Sequence, residues 1–385
     1  MGGRKHQEAP LTRKQIFGLL WIVFTTLPLA AEAREIPTIN VGVIVPQSGS
    51  QKPFGDEFYR GIELAIDFFE SQNPTLKNKV RVLRSDDSAQ AKKAAEAAEE
   101  LITKQRAHVL LGAITSNTSD AILKVAERYK KPFVSPIVTT SGSQKSDYLF
   151  QIGLNNRSQG IALAQFATGE MKARKAAILW DGTRSNAPLV EAFEQQFSAR
   201  GGKVVTKVTY PLGTTDYKSQ LKELRRRGPE FVLLPAYYNT AAAIMEQAKS
   251  MGWLVKFLGS DGWDSPRLLQ AAGKNANGHY FLSHFAPSRN QPIVLKFVGA
   301  FQEKYGRSPG AIAALAFDGM NLVLDAFARG KTVLPKPFLR AFQGTENLEG
   351  VTGILSLTAG SAMVKSGMIM EVTGGAIKHR SDIRL

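Results

Sequence analysis

One device recurs along this chain and limits what it can become. An apolar, β-branched run is followed by a short Ser/Thr/Asn/Asp/Tyr loop, and then by residues at helical spacing. It occurs at Val109-Leu110-Leu111-Gly112 before Thr115-Ser116-Asn117-Thr118-Ser119, and at Phe133-Val134-Ser135-Pro136 before Thr139-Thr140-Ser141-Gly142. It returns at Phe231-Val232-Leu233-Leu234 before Tyr237-Tyr238-Asn239, and at Lys256-Phe257-Leu258-Gly259 before Asp261-Gly262-Trp263. Alternating strands and helices predict an α/β protein whose parallel sheets are covered on both faces. The loops then gather at the carboxyl ends of the strands, where open α/β folds bind ligands. Helix N-termini at that edge offer free N–H groups and a partial positive charge, suited to a carboxylate. The pattern therefore points to a holder of a small polar molecule.

Two series of such units follow one another. The first opens with the strand Ile39–Val45 and a helix from about Asp56, on which Tyr59, Ile62, Ile66 and Phe69 form one apolar stripe. After the strand Val80–Leu83 and Asp86-Asp87-Ser88, an Ala-rich helix turns Ala94, Ala98, Leu101 and Ile102 inward. The second series starts near Lys175, with the strand Ala177–Trp180 and a helix around Val190, Phe193 and Phe197. The strand Lys203–Val208 comes next, and the helix Ala241–Met251 stops at Gly252, a natural C-cap. Residues 292–342 read as mainly helical and residues 350–378 as short strands with Gly turns. Neither stretch builds a core alone, so both are expected to return to the two lobes.

The first 33 residues read as a targeting segment. Arg4, Lys5, Arg13 and Lys14 precede the apolar run Ile16–Ala31, and Ala31-Glu32-Ala33 is a small-x-small cleavage site before Arg34. The run is shorter than the roughly 20 residues that span a bilayer; an uncleaved anchor is the alternative. No second span is evident, so a soluble body in the periplasm is expected. The absence of cysteine excludes disulfides, thiol nucleophiles, thiolate metal sites and a lipid on an N-terminal Cys. The net charge is +16. The densest run, Lys222 to Arg227, reads as a solvated helix end where cations complement the dipole. With no nucleic-acid motif present, DNA or RNA is not the expected partner.

Several residues are candidates for chemistry. Ser116 and Thr139 place hydroxyls at strand ends and could hold a carboxylate; helix capping or an ST-turn would use the same residues. Asp261 could pair with an ammonium group, or simply make a turn before Gly262. Tyr237 and Tyr238 could line a cleft, but an extended backbone points them in opposite directions, so one of them packs. Asp86-Asp87 is expected to cap the following helix. His279 and His284 fall at an odd separation along a strand and should not share a ligand. No metal, cofactor or nucleophile–base pair is indicated, and no G-x-S-x-G, Walker A or H-E-x-x-H motif is present.

The chain resembles the periplasmic branched-chain amino-acid-binding proteins, type I substrate-binding components of ABC transporters. The resemblance runs through Pro46-Gln47-Ser48-Gly49 with Phe54-Gly55-Asp56, Asp86-Asp87, Gly112 to Ser119 and Ser135-Pro136 to Thr139. It continues through Leu234 to Asn239, Phe257 to Asp264 and Leu348 to Gly353. It implies a type I periplasmic binding fold: two Rossmann-like lobes joined by three crossover hinge segments. Lobe 1 would comprise residues 34–154 and 284–366, and lobe 2 residues 155–283 and 367–385.

Carried over by position, Ser116 and Thr139 would hold a ligand carboxylate, and the Ile137 carbonyl and Asp261 its ammonium. Tyr237 would close from lobe 2 and Phe54 would wall the side-chain pocket, with Ser185, Tyr238 and Trp263 nearby. Asp261 stands where several members have Glu, Ser185 where Tyr is common, and Ile137-Val138 where smaller residues are common. Amides and aromatic acids therefore stay among the ligands to test. The function implied is a monomeric, non-enzymatic receptor that delivers an amino acid or similar carboxylate to an inner-membrane permease with its ATPase. A sensor of the same fold coupled to a signalling protein is the alternative.

Overall fold

The computed structural model describes residues 35–137, 146–265, 267–356 and 366–383. The expected targeting segment and Thr139 lie outside the described residues. The first sheet contains β1 (Ile39–Ile44), β2 (Val80–Ser85), β3 (Val109–Gly112), β4 (Phe133–Ser135) and β5 (Leu149–Gln151). All are parallel, in the order β2-β1-β3-β4-β5. Helices α1 (Lys52–Gln72), α2 (Ala91–Thr103) and α3 (Ser116–Tyr129) connect them. β3 and β4 are buried at every position, which is why they read as continuous apolar runs without alternation. α1 begins four residues before the expected Asp56, because Pro53 suits a first helical turn that needs no N–H donor.

At Ile152–Asn155 the chain passes to the second sheet. There α4 (Asn156–Gly169), β6 (Lys175–Trp180), α5 (Ala187–Ala199), β7 (Lys203–Thr209), α6 (Lys218–Arg226) and β8 (Phe231–Leu234) follow in sequence. α7 (Tyr238–Ser250), β9 (Lys256–Gly259), α8 (Arg267–Ala272) and β10 (Tyr280–Ser283) complete the run. Residues 284–291 return to the first lobe, which receives α9 (Pro292–Tyr305), α10 (Ala311–Gly330), α11 (Pro335–Gln343) and the hairpin β11 (Leu348–Gly350)–β12 (Gly353–Leu355). The second sheet is completed by β13 (Gly367–Thr373) and β14 (Ala376–Ile383), its antiparallel edge. That sheet runs β14-β13-β10-β9-β8-β6-β7.

The first lobe's core joins β1 and β3 to α1, α9, α10 and α11. α10 corrects the sequence expectation that no second apolar stretch could span a membrane. By length and composition it could, but 78% of its apolar window is buried inside the protein, so here it is a core helix. Asp318, in the middle of this helix, is fully buried. It accepts N–H bonds from Val351 (2.8 Å) and Thr352 (2.9 Å) and the Thr352 hydroxyl, fixing the β11–β12 turn.

α1 and α10 pack closely because Gly61 has no side chain. An ideal Cβ on Gly61 would stand 2.1 Å from the Ala313 carbonyl oxygen, a backbone atom that cannot rotate away. Gly61→Ala is therefore expected to force the helices apart and cost about 1–3 kcal/mol, lowering Tm by several degrees. Gly299→Ala is the control: it is helical and exposed, with open space at its Cβ, and the better helix former should stabilise slightly. Thermal denaturation of both variants checks this; an equal loss in the two would remove the packing argument.

Candidate functional site

On the first lobe, the loop after β3 is shaped by close backbone contact. Gly112 has φ +150°, and a Cβ there would sit 2.2 Å from the Ile44 carbonyl oxygen. The N-cap of α3 is Thr115, whose hydroxyl accepts from the Thr118 N–H (3.4 Å) in a reciprocal capping box. Capping therefore does not occupy Ser116. Its half-buried hydroxyl instead lies 3.3 Å from the Ser185 hydroxyl of the second lobe. A buried Ser119–Ser135 hydroxyl contact (3.2 Å) pins α3 to β4, and half-buried Ile137 follows β4. Phe54 is half-buried in the first turn of α1.

Asp86 does not cap α2, contrary to expectation: the N-cap is Gln90, without a side-chain bond. Asp86 instead ties in the loop after β1. Desolvation works to raise its pKa, but bonds from the Ser48 hydroxyl, the Gln47 N–H and Ser88 outweigh this and bring it to about 2.

The second lobe supplies the opposite wall. Asp181, just after β6, accepts from the Thr183 N–H (3.0 Å), the Thr183 hydroxyl (2.9 Å) and the Asn186 amide (3.1 Å to its second oxygen). This turn, with the Asn156 amide on the Ser185 carbonyl (2.6 Å), holds Ser185 at the cleft. Tyr237 follows β8 in extended conformation and is 66% exposed, whereas Tyr238 packs against the lobe core. The alternation of an extended chain separates their roles. Desolvation, then the charges of Asp261 and Asp181, raise the pKa of the Tyr237 hydroxyl.

After β9 the chain makes a 3₁₀ turn, Asp261–Trp263, seated tightly because a Cβ on Gly262 would stand 2.5 Å from the Ala236 carbonyl oxygen. Trp263 does not face the cleft, a correction to its grouping with the ligand residues. It is fully buried, packs against Phe281 and donates its indole N–H to the Leu234 carbonyl (3.2 Å).

Asp261 is the most connected candidate. Its Oδ2 accepts from the Gln159 side-chain amide (2.9 Å) and meets Nε2 of His284 (3.0 Å), while its own N–H donates to Gln159 Oε1 (3.3 Å). Gln159 is fully buried on α4, and His284 is 3% exposed at the start of the second crossover. Sequence reading missed Gln159, His284 and Asp181. Asp181-Gly182-Thr183 carried a turn signal, but nothing local joins Gln159 to a residue 102 positions away. His279 makes a separate contact, accepting the Phe257 N–H (3.3 Å). Among the described residues, no cluster of three His, Asp or Glu could hold a metal.

Asp264 adjoins this network, half-buried and bonded to the Ser283 hydroxyl. That hydroxyl also contacts the Phe285 carbonyl (2.8 Å) and accepts the Phe285 N–H (3.0 Å). One hydroxyl hydrogen cannot serve two acceptors. A protonated Asp264 resolves this by donating to Ser283, which then donates to Phe285. Burial, opposed by the Ser283 bond and aided by the Asp261 charge, pushes Asp264 up to about 7. The second-lobe wall is thus rich in carboxylates and the first-lobe wall in hydroxyls and a helix N-terminus. The basic end of α6 lies elsewhere, around a surface hollow lined by Ser219, Lys222, Arg225, Arg226 and Met251.

A family model described as periplasmic binding protein matches residues 38–376. The Brucella abortus protein named Leu/Ile/Val-binding protein homolog 8 is 25% identical over 334 residues, 82% of each chain. A leucine-binding protein structure from Thermotoga maritima is 28% identical with a TM-score of 0.82, covering 90% of this chain and 99% of that one. A branched-chain amino acid transporter substrate-binding protein from Streptococcus pneumoniae, solved with isoleucine, is 25% identical with a TM-score of 0.81, covering 90% and 99% respectively.

The raised pKa of Asp264 has a signed consequence. An unfolded Asp ionises near pH 4, whereas the folded one keeps its proton up to about pH 7. Between these values the folded state binds the extra proton, so stability falls as pH rises through the window and levels off above it. Asp264→Asn keeps a donor to Ser283 without ionising. Relative to the parent, it should gain on the order of 1–4 kcal/mol between about pH 4 and pH 8. Denaturant unfolding at both pH values checks this; a constant difference would show that Asp264 does not titrate there.

Proposed function

The chain belongs to the periplasmic binding protein family, and from the chemistry of its cleft we propose that it captures an α-amino acid, or a similar small carboxylate, between its lobes and delivers it to an ABC permease. The observation carrying this reading is Asp261: its Oδ2 is held by Gln159 and His284, while its Oδ1 makes no hydrogen bond among the described residues. A half-buried carboxylate with one oxygen fixed and one open suits a ligand cation, because burying an unpaired ammonium is costly.

The proposed ligand carboxylate lies against Ser116, with Thr139 as its partner, and exchanges for the Ser116–Ser185 contact (3.3 Å). The Ile137 carbonyl is the proposed second acceptor for the ammonium. Tyr237 closes from the second lobe, Phe54 walls the side-chain pocket, Ser185 borders it, and Tyr238 supports the Tyr237 turn from behind. Hinge closure of the two lobes then presents the occupied form to the permease. In this reading the protein binds and releases without catalysis and acts as a monomer in the periplasm. Residues 1–33 are the export signal, residues 34–154 and 284–366 form one lobe, and residues 155–283 and 367–385 form the other.

Asp261→Ala should weaken α-amino-acid binding by roughly tenfold to a thousandfold, about 1.4–4 kcal/mol. Ser116→Ala and Tyr237→Ala should weaken it by less, about 0.5–1.5 kcal/mol each, as single neutral hydrogen bonds. A thermal-shift screen of amino acids, amides, aliphatic acids and aromatic acids, followed by calorimetric titration, measures this. Stabilisation only by acids lacking an amine, or unchanged affinity in a folded Asp261→Ala protein, would remove Asp261 from the ammonium role.

A further inference from the structure

The second crossover places a histidine inside the proposed amine subsite. His284 immediately follows β10, is 3% exposed, and meets Oδ2 of Asp261 at 3.0 Å. A carboxylate only accepts, so the shared hydrogen belongs to Nε2 of His284. Nδ1 then carries a lone pair, and that atom is buried without a hydrogen-bond partner.

Gly153, on the first crossover, shows what else borders the ring. An ideal Cβ there would stand 3.7 Å from His284 Cε1, 3.0 Å from the Pro136 carbonyl oxygen and 3.2 Å from that of Ile137. His284 Cε1 and the Ile137 carbonyl therefore flank one small space beside Gly153, while Asp261 touches Nε2, a nitrogen next to Cε1. Both proposed ammonium acceptors meet around this imidazole.

We propose that His284 is a positioning residue of the amine subsite, which with Gln159 fixes Asp261 Oδ2 and so leaves Oδ1 open to a ligand ammonium. This rests on the amino-acid-binding reading above. The two contacts stop the carboxylate from rotating. The remaining oxygen and the Ile137 carbonyl then face the ligand cation.

The hold on Oδ2 is shared: α4 contributes the Gln159 amide, and the segments around Gly153 and Pro136 contribute backbone carbonyls beside the ring.

The test is calorimetric titration of the wild-type, His284→Gln and His284→Ala proteins with L-leucine and with 4-methylpentanoate, the same skeleton without the amine. His284→Ala should weaken leucine at least about fivefold more than it weakens 4-methylpentanoate. His284→Gln keeps an amide donor to Oδ2 and should recover most of that loss.

An equal loss of both ligands in a folded His284→Ala protein overturns the proposal and leaves the receptor reading standing. A folded His284→Gln protein whose leucine affinity falls as far as that of His284→Ala also overturns it. Failure of leucine to bind the wild-type protein, with 4-methylpentanoate binding, removes the amine subsite itself, and the proposal with it.

Discussion

A carboxylate in a half-buried cleft must be held before it can hold anything else. Asp261 illustrates this: its side chain is 28% exposed, and an ion so placed loses hydration that only fixed donors replace. The donors come from two distant parts of the chain, Gln159 on the first helix of the second lobe and His284 on the crossover that leaves it. The orientation of one side chain thus depends on α4, on the end of β10 and on the 3₁₀ turn packed over Ala236. That turn depends in turn on Gly262 and on the Trp263 indole buried beneath it. The proposed site is a consequence of second-lobe packing as much as of the residues that face the ligand.

The crossovers join this packing to the first lobe. Parallel strands deliver their loops to one edge of each sheet, so Ser116 and Ser185 come within 3.3 Å although they belong to different lobes. Gly153 on the first crossover and His284 on the second are neighbours, and both border the turn that follows β4. A hinge motion that separates the lobes changes the Ser116–Ser185 contact directly. His284 bonds Asp261 on the lobe that its own strand belongs to. The proposed amine subsite is therefore largely assembled on one side, and in a hinge motion the hydroxyl wall would move relative to it.

Much of this fold was legible because parallel strands buried on both faces leave an unmistakable apolar run, and the polar loop after each run marks the ligand edge. Ser116, Tyr237 and Asp261 stand out as candidates for that reason: each sits within a few residues of a strand end. Trp263 was grouped with them through sequence adjacency to Asp261. At three residues per turn a 3₁₀ segment sends successive side chains in different directions, and Trp263 points into the core. Gln159 and His284 were illegible because their role exists only across 102 and 23 residues of separation. The earlier start of α1 escaped periodicity because Lys52 and Pro53 are exposed and carry no apolar signal. The α10 core helix could not be told from a membrane span by composition, since only its neighbours cover it.

The excess of positive charge and the carboxylates of the second-lobe wall act over different distances. Surface lysines and arginines give the chain a net charge of +16, and their field is screened over about 10 Å in ordinary salt. Such a field gathers anions near the protein but cannot choose among them. Selection falls to groups that lose water when the cleft closes, where a charge is stronger and an unpaired one costs more. For a zwitterion the two walls act together: the carboxylate suits the hydroxyls and helix N-terminus of the first lobe, and the ammonium suits the open oxygen of Asp261. For an acid without an amine, that oxygen would be desolvated with nothing opposite it, and closing the cleft would cost more.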